Sequence, residues 1–258
     1  MFINNFDPVA FSIFSLAIRW YSLAYIFGIL LGWYYCKKLL INNKKIYLIF
    51  DDLIPYLIIG IIIGGRFGYI IFYNFNHYIK NLQEIFYIWH GGMSFHGGLL
   101  GVLVAVIIFS KKKKINKYIF LDLISSAAPI GIFLGRISNF LNSELLGKSA
   151  NLPWSVIFIN IDNIARHPSQ LYEAFLEGFL LFFILLYFIT KKYLLIPGLI
   201  SSLFLIFYSL FRFLIEFVRI PDEQLGYLIF NLTMGQIISS IFFIWGTYLF
   251  IIKRNELK

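Results

Sequence analysis

LIPYLIIGIIIGGRFGYIIFY, residues Leu53–Tyr73, runs for twenty-one positions with a single charged side chain, Arg66. At a helical rise of about 1.5 Å per residue it spans roughly 30 Å, the thickness of a bilayer's hydrocarbon core. Gly60, Gly64 and Gly68 recur every four residues, a spacing that lets a neighbouring helix approach closely. Six other stretches meet the same length test, near residues 15–36, 94–110, 118–140, 171–190, 196–217 and 231–252. The one at 118–140 is the least apolar, because Asp122 and Pro129 lie inside it.

Composition agrees with this reading. Hydrophobic residues make up 60% of the chain and charged residues 14%, against roughly 45–50% and 25% in soluble domains. Lipid must cover part of that apolar surface. Cys36 is the single cysteine, so neither an internal disulfide nor a thiolate metal cluster is possible. Only Arg19 precedes Lys37, so the basic start of a cleavable signal is missing and the first stretch is expected to stay in the membrane.

The net charge of +9 would suggest nucleic acid in a soluble protein, but here its placement is a topology signal. Fourteen Lys and Arg residues (Lys37, Lys38, Lys44, Lys45, Lys111 to Lys114, Lys117, Lys191, Lys192, Lys253, Arg254 and Lys258) fall in alternate connections. The other connections hold Lys80, Lys148, Arg166 and Arg219. The expected fold is an all-α membrane protein of seven transmembrane helices forming one domain over residues 1–258, with the N-terminus outside and the C-terminus cytoplasmic. The loop of about 141–170 should lie outside as an arm, with Trp154–Ile159 as a short strand.

Arginine at mid-membrane costs at least about 2.5–3.5 kcal/mol, so Arg19, Arg66, Arg136 and Arg212 each need a reason. Counted from the cytoplasmic end, Arg136 lies about 27 Å up its span and Arg212 about 24 Å. Arg66, Arg19, His96, Gln170 and Tyr172 fall near the same level, so side chains from six helices form one polar layer. Each arginine has two readings, a functional one and snorkelling or a private ion pair. Tyr208, Arg212, Glu216 and Arg219 share one helix face, which makes an Arg212–Glu216 pair a structural alternative. Around Arg136, the closely following Asn139, Asn142 and Glu144 favour a ligand or water. In His90-Gly-Gly-Met-Ser-Phe-His-Gly-Gly98, glycine pairs at a helix entry expose amides to an anion, and His96 is either a base or a satisfied hydrogen-bond partner. Arg166-His-Pro-Ser-Gln-Leu-Tyr-Glu173 reads as a helix start with Pro168 in the first turn.

Together these segments resemble the bacterial phosphatidylglycerol–prolipoprotein diacylglyceryl transferases over nearly the whole chain. The matching stretches are Arg19-Trp-Tyr-Ser, Gly64-Gly-Arg-Phe-Gly-Tyr69, Gly91-Gly-Met-Ser-Phe-His-Gly-Gly98, Gly135-Arg-Ile-Ser-Asn-Phe-Leu-Asn-Ser-Glu-Leu-Leu-Gly147, Arg166 to Glu173, and Phe211-Arg-Phe-Leu-Ile-Glu-Phe-Val-Arg-Ile-Pro-Asp222. Ser138 and Ser143 stand where the family usually has glycine, Leu146 where it has tryptophan, Lys148 where it has arginine, and His90 where an acid is frequent. The resemblance implies a multi-pass enzyme of the bacterial inner membrane with its site on the periplasmic side. Such an enzyme moves the diacylglyceryl group of phosphatidylglycerol onto the lipobox cysteine of a prolipoprotein signal peptide and releases glycerol phosphate. No cofactor or nucleic-acid partner is expected, and no metal, because the candidate ligands form no set with recognisable spacing.

That chemistry assigns roles to the polar layer. The substrate thiol, with a pKa of about 8.5, must lose its proton to attack carbon. Histidine, at about 6.5, is a suitable base, such help being worth roughly 10²–10⁴-fold in rate. Arg136 and Arg212 are expected to grip the phosphate through paired hydrogen bonds. Asn139, Glu144, Gly147 and Arg219 would shape the phosphatidylglycerol site, and Gln170 and Tyr172 its rim. His96 is the expected base or orienting donor, with Tyr21 beside it. The competing class is a lipid flippase or transporter with an arginine-lined path. Against it, polar residues thin out toward the cytoplasmic half, where Asp51, Asp52 and Asp122 are the main exceptions. A retinal-type receptor lacks a lysine in the seventh stretch, and Ser94 has no nucleophile setting for a protease.

Overall fold

The computed structural model describes residues 1–14, 16–87, 91–221 and 226–256. His90, and the side chains of Leu16, Phe72, Tyr73, Phe95 and His96, lie outside the described residues. Each of the seven apolar stretches is helical over most of its length.

In chain order the elements are β1 (Phe2–Asn4), β2 (Val9–Ile13), β3 (Leu16–Arg19), α1 (Trp20–Tyr34), α2 (Lys44–Ile49), α3 (Leu53–Tyr73), α4 (Phe75–Lys80) and α5 (Phe95–Lys113). Then come α6 (Lys117–Leu141), β4 (Val156–Phe158), β5 (Ala165–Arg166), α7 (Ser169–Glu173), α8 (Leu181–Thr190), α9 (Leu199–Ile215) and α10 (Met234–Asn255). A π-helical segment, Tyr35–Leu40, extends α1, and another, Ala174–Leu180, joins α7 to α8. Among the described residues, Trp20–Leu40, Leu53–Ile71, Lys117–Leu141, Ser169–Thr190 and Met234–Asn255 are long and apolar enough to cross a membrane, and α9 is a shorter apolar helix. The protein is therefore mostly helical, with the apolar spans of an all-α membrane protein. The chain forms two compact units, residues 40–121 and residues 1–39 with 122–258.

In the unit of residues 40–121, α3 and α5 touch backbone to backbone. A Cβ at Gly64 would lie 2.3 Å from the Gly97 carbonyl oxygen, and one at Gly101 only 1.9 Å from that of Gly60. The glycine repeat is thus a packing device, and its partner strip lies in the glycine-rich start of α5. At such distances Cα–H groups meet facing carbonyls directly. Arg66 serves the same unit. Its guanidinium is buried and donates to the carbonyls of Ile85 (2.9 Å), Gly91 (2.6 Å) and Glu84, under the ring of Tyr78. It fastens the connection after α3 to the helix, a structural use of a charge in a span. Asp52 pairs with Lys113 at 2.6 Å, tying the start of α3 to the end of α5.

In the other unit, β1 pairs in parallel with β4, and β4 pairs antiparallel with β5. The Asn4 side chain donates to the Phe140 carbonyl at 2.7 Å, pinning this sheet to the end of α6. The expected strand near 154–159 is β4. Residues 16–19, expected at the start of a span, instead pair with β2 as a hairpin, and α1 begins at Trp20. Asp7 closes the open end of that hairpin: its side chain accepts from the Val9 amide at 2.8 Å and its carbonyl from the Trp20 indole at 3.1 Å. Asp122 accepts from the Gly198 and Ser201 amides at 2.7 and 2.8 Å, capping α9 from a neighbouring helix. Cys36 is buried, its thiol donating to the Leu123 carbonyl at 3.1 Å. Leu181, Leu185, Ile200, Leu203, Tyr208 and Phe211 form the core between α8 and α9.

Replacing Gly101 by leucine forces a side chain into backbone that cannot yield, and should destabilise the protein by at least about 2 kcal/mol. Gly98→Ala is the control, since nothing comes nearer than 3.8 Å to a Cβ there. Thermal unfolding in detergent should separate the two variants; equal behaviour would contradict the packing.

Candidate active site

Three elements of the larger unit converge on one carboxyl group. Glu173 ends α7 with its side chain fully buried. The Arg136 Nε, from α6, lies 2.7 Å from one of its oxygens. The Arg212 Nη1, from α9, lies 3.1 Å from the other, and an Arg219 Nη1 lies 3.5 Å from that same oxygen. Glu177, equally buried, lies 3.3 Å from Arg136 and 3.8 Å from Arg212. Glu216 lies 2.5 Å from Arg212 on the flank, and its second oxygen accepts from the Thr233 hydroxyl at 2.6 Å. Thr233 also caps α10 in a reciprocal box with Gln236. Three guanidinium groups thus face three carboxyl groups, a balance that lets so many charges sit together out of water.

The local fold explains why these acids share a face. Glu173 immediately precedes the π-helical segment Ala174–Leu180 and Glu177 lies within it. The wider π turn changes which residues line up, and such turns recur at functional sites. Gly178 lets the segment lie against α6, since a Cβ there would meet the Phe133 Cβ at 2.7 Å. The acids are fully buried while the Arg136 and Arg212 side chains keep 16% and 14% exposure. The carboxyl groups are thus closed off while the arginine side chains keep some exposure, an arrangement compatible with binding an anion through fixed N–H donors.

A second set lies where α6 ends. Asn139 is three residues from Arg136, on the same face. Its amide donates to Glu144 at 2.9 Å, and that of Asn142 donates to the other carboxyl oxygen at 3.3 Å. Gln170 is fully buried and donates to the Glu144 carbonyl, bracing the turn from within. Gly147 bridges to Arg219, which joins this turn to the arginine cluster. A Cβ on Gly147 would lie 2.2 Å from the His167 carbonyl oxygen, so only glycine fits. Ser143, where the resemblance leads one to expect glycine, has a φ of 57°, the left-handed conformation that glycine adopts without strain. The Tyr172 hydroxyl accepts from the Trp154 indole at 2.8 Å. Tyr21 is exposed, its hydroxyl 3.4 Å from that of Tyr25.

The structure thus brings together Arg136, Arg212 and Arg219, and joins Asn139, Glu144, Gln170 and Gly147 to them through one turn. Tyr172 has its own partner in Trp154, whereas Tyr21, beside Tyr25, also lies within electrostatic reach of Glu144 and Arg136. His96 belongs to the other unit, and its side chain lies outside the described residues. Arg219 does not continue the α9 face as its spacing suggests: the helix ends at Ile215, and a turn delivers Arg219 to the same carboxyl group. Sequence reasoning missed Glu173 and Glu177 as site residues. The available signal was a pair of acids four residues apart at the start of an apolar stretch, as much in need of a reason as the arginines.

The family model described as prolipoprotein diacylglyceryl transferase matches residues 8–252. A Rickettsia felis protein named phosphatidylglycerol–prolipoprotein diacylglyceryl transferase is 49% identical over 252 residues, covering 95% of this chain and 96% of its own. Proteins of the same name from Rickettsia typhi and Rickettsia bellii are each 48% identical, over 256 and 254 residues, covering 96% of this chain and 97% and 95% of their own. With the family's signature stretch folded around the arginine–glutamate cluster, and a match that runs almost end to end, the chain belongs to the prolipoprotein diacylglyceryl transferase family.

Proposed function

We propose that this protein transfers the diacylglyceryl group of phosphatidylglycerol to the lipobox cysteine of a prolipoprotein, as a single seven-span domain of the bacterial inner membrane. Its N-terminus and site lie outside, and its C-terminus is cytoplasmic. The observation that carries the reading is the pair Arg136 and Arg212, held by fully buried acids while their own side chains keep partial exposure.

In the reaction, the substrate sulfur bonds to the glyceryl carbon that carries the phosphate ester. The carbon–oxygen bond breaks, its electron pair leaves on the ester oxygen, and the products are a thioether and glycerol phosphate. The thiol proton passes to a base, for which His96 is the candidate, either accepting it directly or orienting the thiol. Negative charge grows on the departing oxygen, and donors fixed in advance stabilise it without reorganising. Arg136 and Arg212 supply those donors, since their planes are set by Glu173 and Glu177. Arg219 keeps Glu173 in register, and Gly147 allows the turn to close over that pair. Asn139 and Glu144 offer an amide and a carboxylate to the glycerol hydroxyls. Tyr21, Tyr172 and Gln170 bound the site. The atoms balance without a metal or cofactor.

The acids of the opposite half, which a transport path would need, have structural partners: Asp122 caps α9, and Asp52 pairs with Lys113. Purified protein, phosphatidylglycerol and a lipobox peptide decide between the classes. Thioether with released glycerol phosphate supports transfer, and lipid movement without product supports a flippase.

Arg136→Lys and Arg212→Lys should each lower kcat/KM by about 10²-fold or more, because a point charge cannot reproduce a two-pronged contact; wild-type turnover in both would remove the clamp. Cys36→Ala should retain full activity, as the reacting sulfur belongs to the substrate, and its loss would contradict the assignment. A pH–rate profile of His96→Gln tests the base. Loss of the acidic limb identifies His96 as proton acceptor, whereas a slower profile of unchanged shape makes it a positioning residue.

A further inference from the structure

The lysine run at the end of α5 divides by partner. Lys112 donates to the Tyr56 hydroxyl at 2.9 Å and Lys113 pairs with Asp52 at 2.6 Å. Lys111, Lys114 and Lys117 are exposed and, among the described residues, no carboxyl group lies within ion-pair distance of them; the Lys117 ammonium lies 5.3 Å above the Tyr118 ring. These three line an open pocket of about 320 Å³ together with Ile107, Ser110 and Ile115. Ser110 is only 3% exposed, and among the described residues its hydroxyl has no hydrogen-bond partner. Such a group at the wall of a basic pocket is a donor waiting for an acceptor.

Two further features select the ligand. The pocket lies at the N-terminus of α6, a helix of 25 residues, whose first amides add positive potential. Along α5, Leu100, Val104 and Ile108 are all more than half exposed and recur every four residues, forming an apolar stripe that ends beside Lys111. A free anion has no use for the stripe, whereas a lipid with acyl chains along it and a phosphate at its end uses both parts.

We propose that the α5–α6 turn is a binding site for the phosphate of an anionic phospholipid, with Lys111, Lys114, Lys117 and the Ser110 hydroxyl around the phosphate and the chains along the exposed α5 stripe. The transfer reaction proposed above uses none of these residues, so the lipid bound here is a contact in addition to the substrate. Topology accounts for basic residues in this connection and capping of the α5 carbonyls for a cation in the last turn, but neither accounts for the buried Ser110 hydroxyl beside them.

The test is native mass spectrometry of the full-length protein titrated with dioleoyl phosphatidic acid. The triple variant Lys111→Gln, Lys114→Gln, Lys117→Gln should bind it roughly tenfold or more weakly, as expected for three lysines at a headgroup. Ser110→Ala should weaken it by a few-fold with no change of charge. The control triple Lys37→Gln, Lys38→Gln, Lys45→Gln removes equal charge elsewhere and should leave affinity within twofold. Transfer activity on detergent-solubilised phosphatidylglycerol should survive in all of these, which shows that they fold. Equal weakening in both triples, or in neither, would overturn the site. So would phosphatidylcholine binding as tightly as phosphatidic acid, or inorganic phosphate displacing the lipid at millimolar concentration.

Discussion

The buried carboxyl group of Glu173 holds the larger unit's chemistry in place. Guanidinium groups from α6, from α9 and from the turn after α9 all approach it. A carboxylate taken out of water with no partner is unfavourable by several kcal/mol, and so is each arginine. Together they are tolerable, and only in one geometry. The cluster therefore does two things at once: it fixes how the helices meet, and it presets the direction of the arginine forks. Neutral packing of similar volume would hold the helices as well, but it would leave nothing to bind an anion.

Other features serve this arrangement. Thr233 ties Glu216 to the cap of α10, so the seventh apolar stretch is registered against the cluster from its first turn. Gly147 and Gln170 draw the turn after α6 against the same place. The Asp122 cap on α9 anchors the far end of the helix that delivers Arg212. Thr233, Glu216 and Asp122 find their partners within protein, as apolar surroundings demand.

Long-range physics was legible in the sequence, whereas local exceptions were not. The apolar stretches become helices because a bilayer leaves the backbone no other way to satisfy itself. The Gly60–Gly64–Gly68 repeat announced a close crossing, and the spacing of Arg212 and Glu216 announced their pair. The hairpin at residues 9–19 was hidden because its short apolar strands are also compatible with a helix. The π turn at Ala174–Leu180 was hidden because nothing in its composition differs from ordinary helix, whereas the four-residue spacing of Glu173 and Glu177 was visible and went unread. Arg66 shows the limit of reading by cost alone. Its charge is satisfied by backbone carbonyls of a neighbouring loop, a solution that leaves no mark in residue spacing.

Glu173→Gln tests the central claim most directly, because it keeps the shape, removes a negative charge and turns an acceptor shared by three arginines partly into a donor. If the carboxyl group sets the arginine forks, kcat should fall by at least about tenfold in protein that still unfolds cooperatively, even though the site has become more positive. An unchanged or raised kcat in the folded variant would mean that positive charge alone suffices, and would contradict the account.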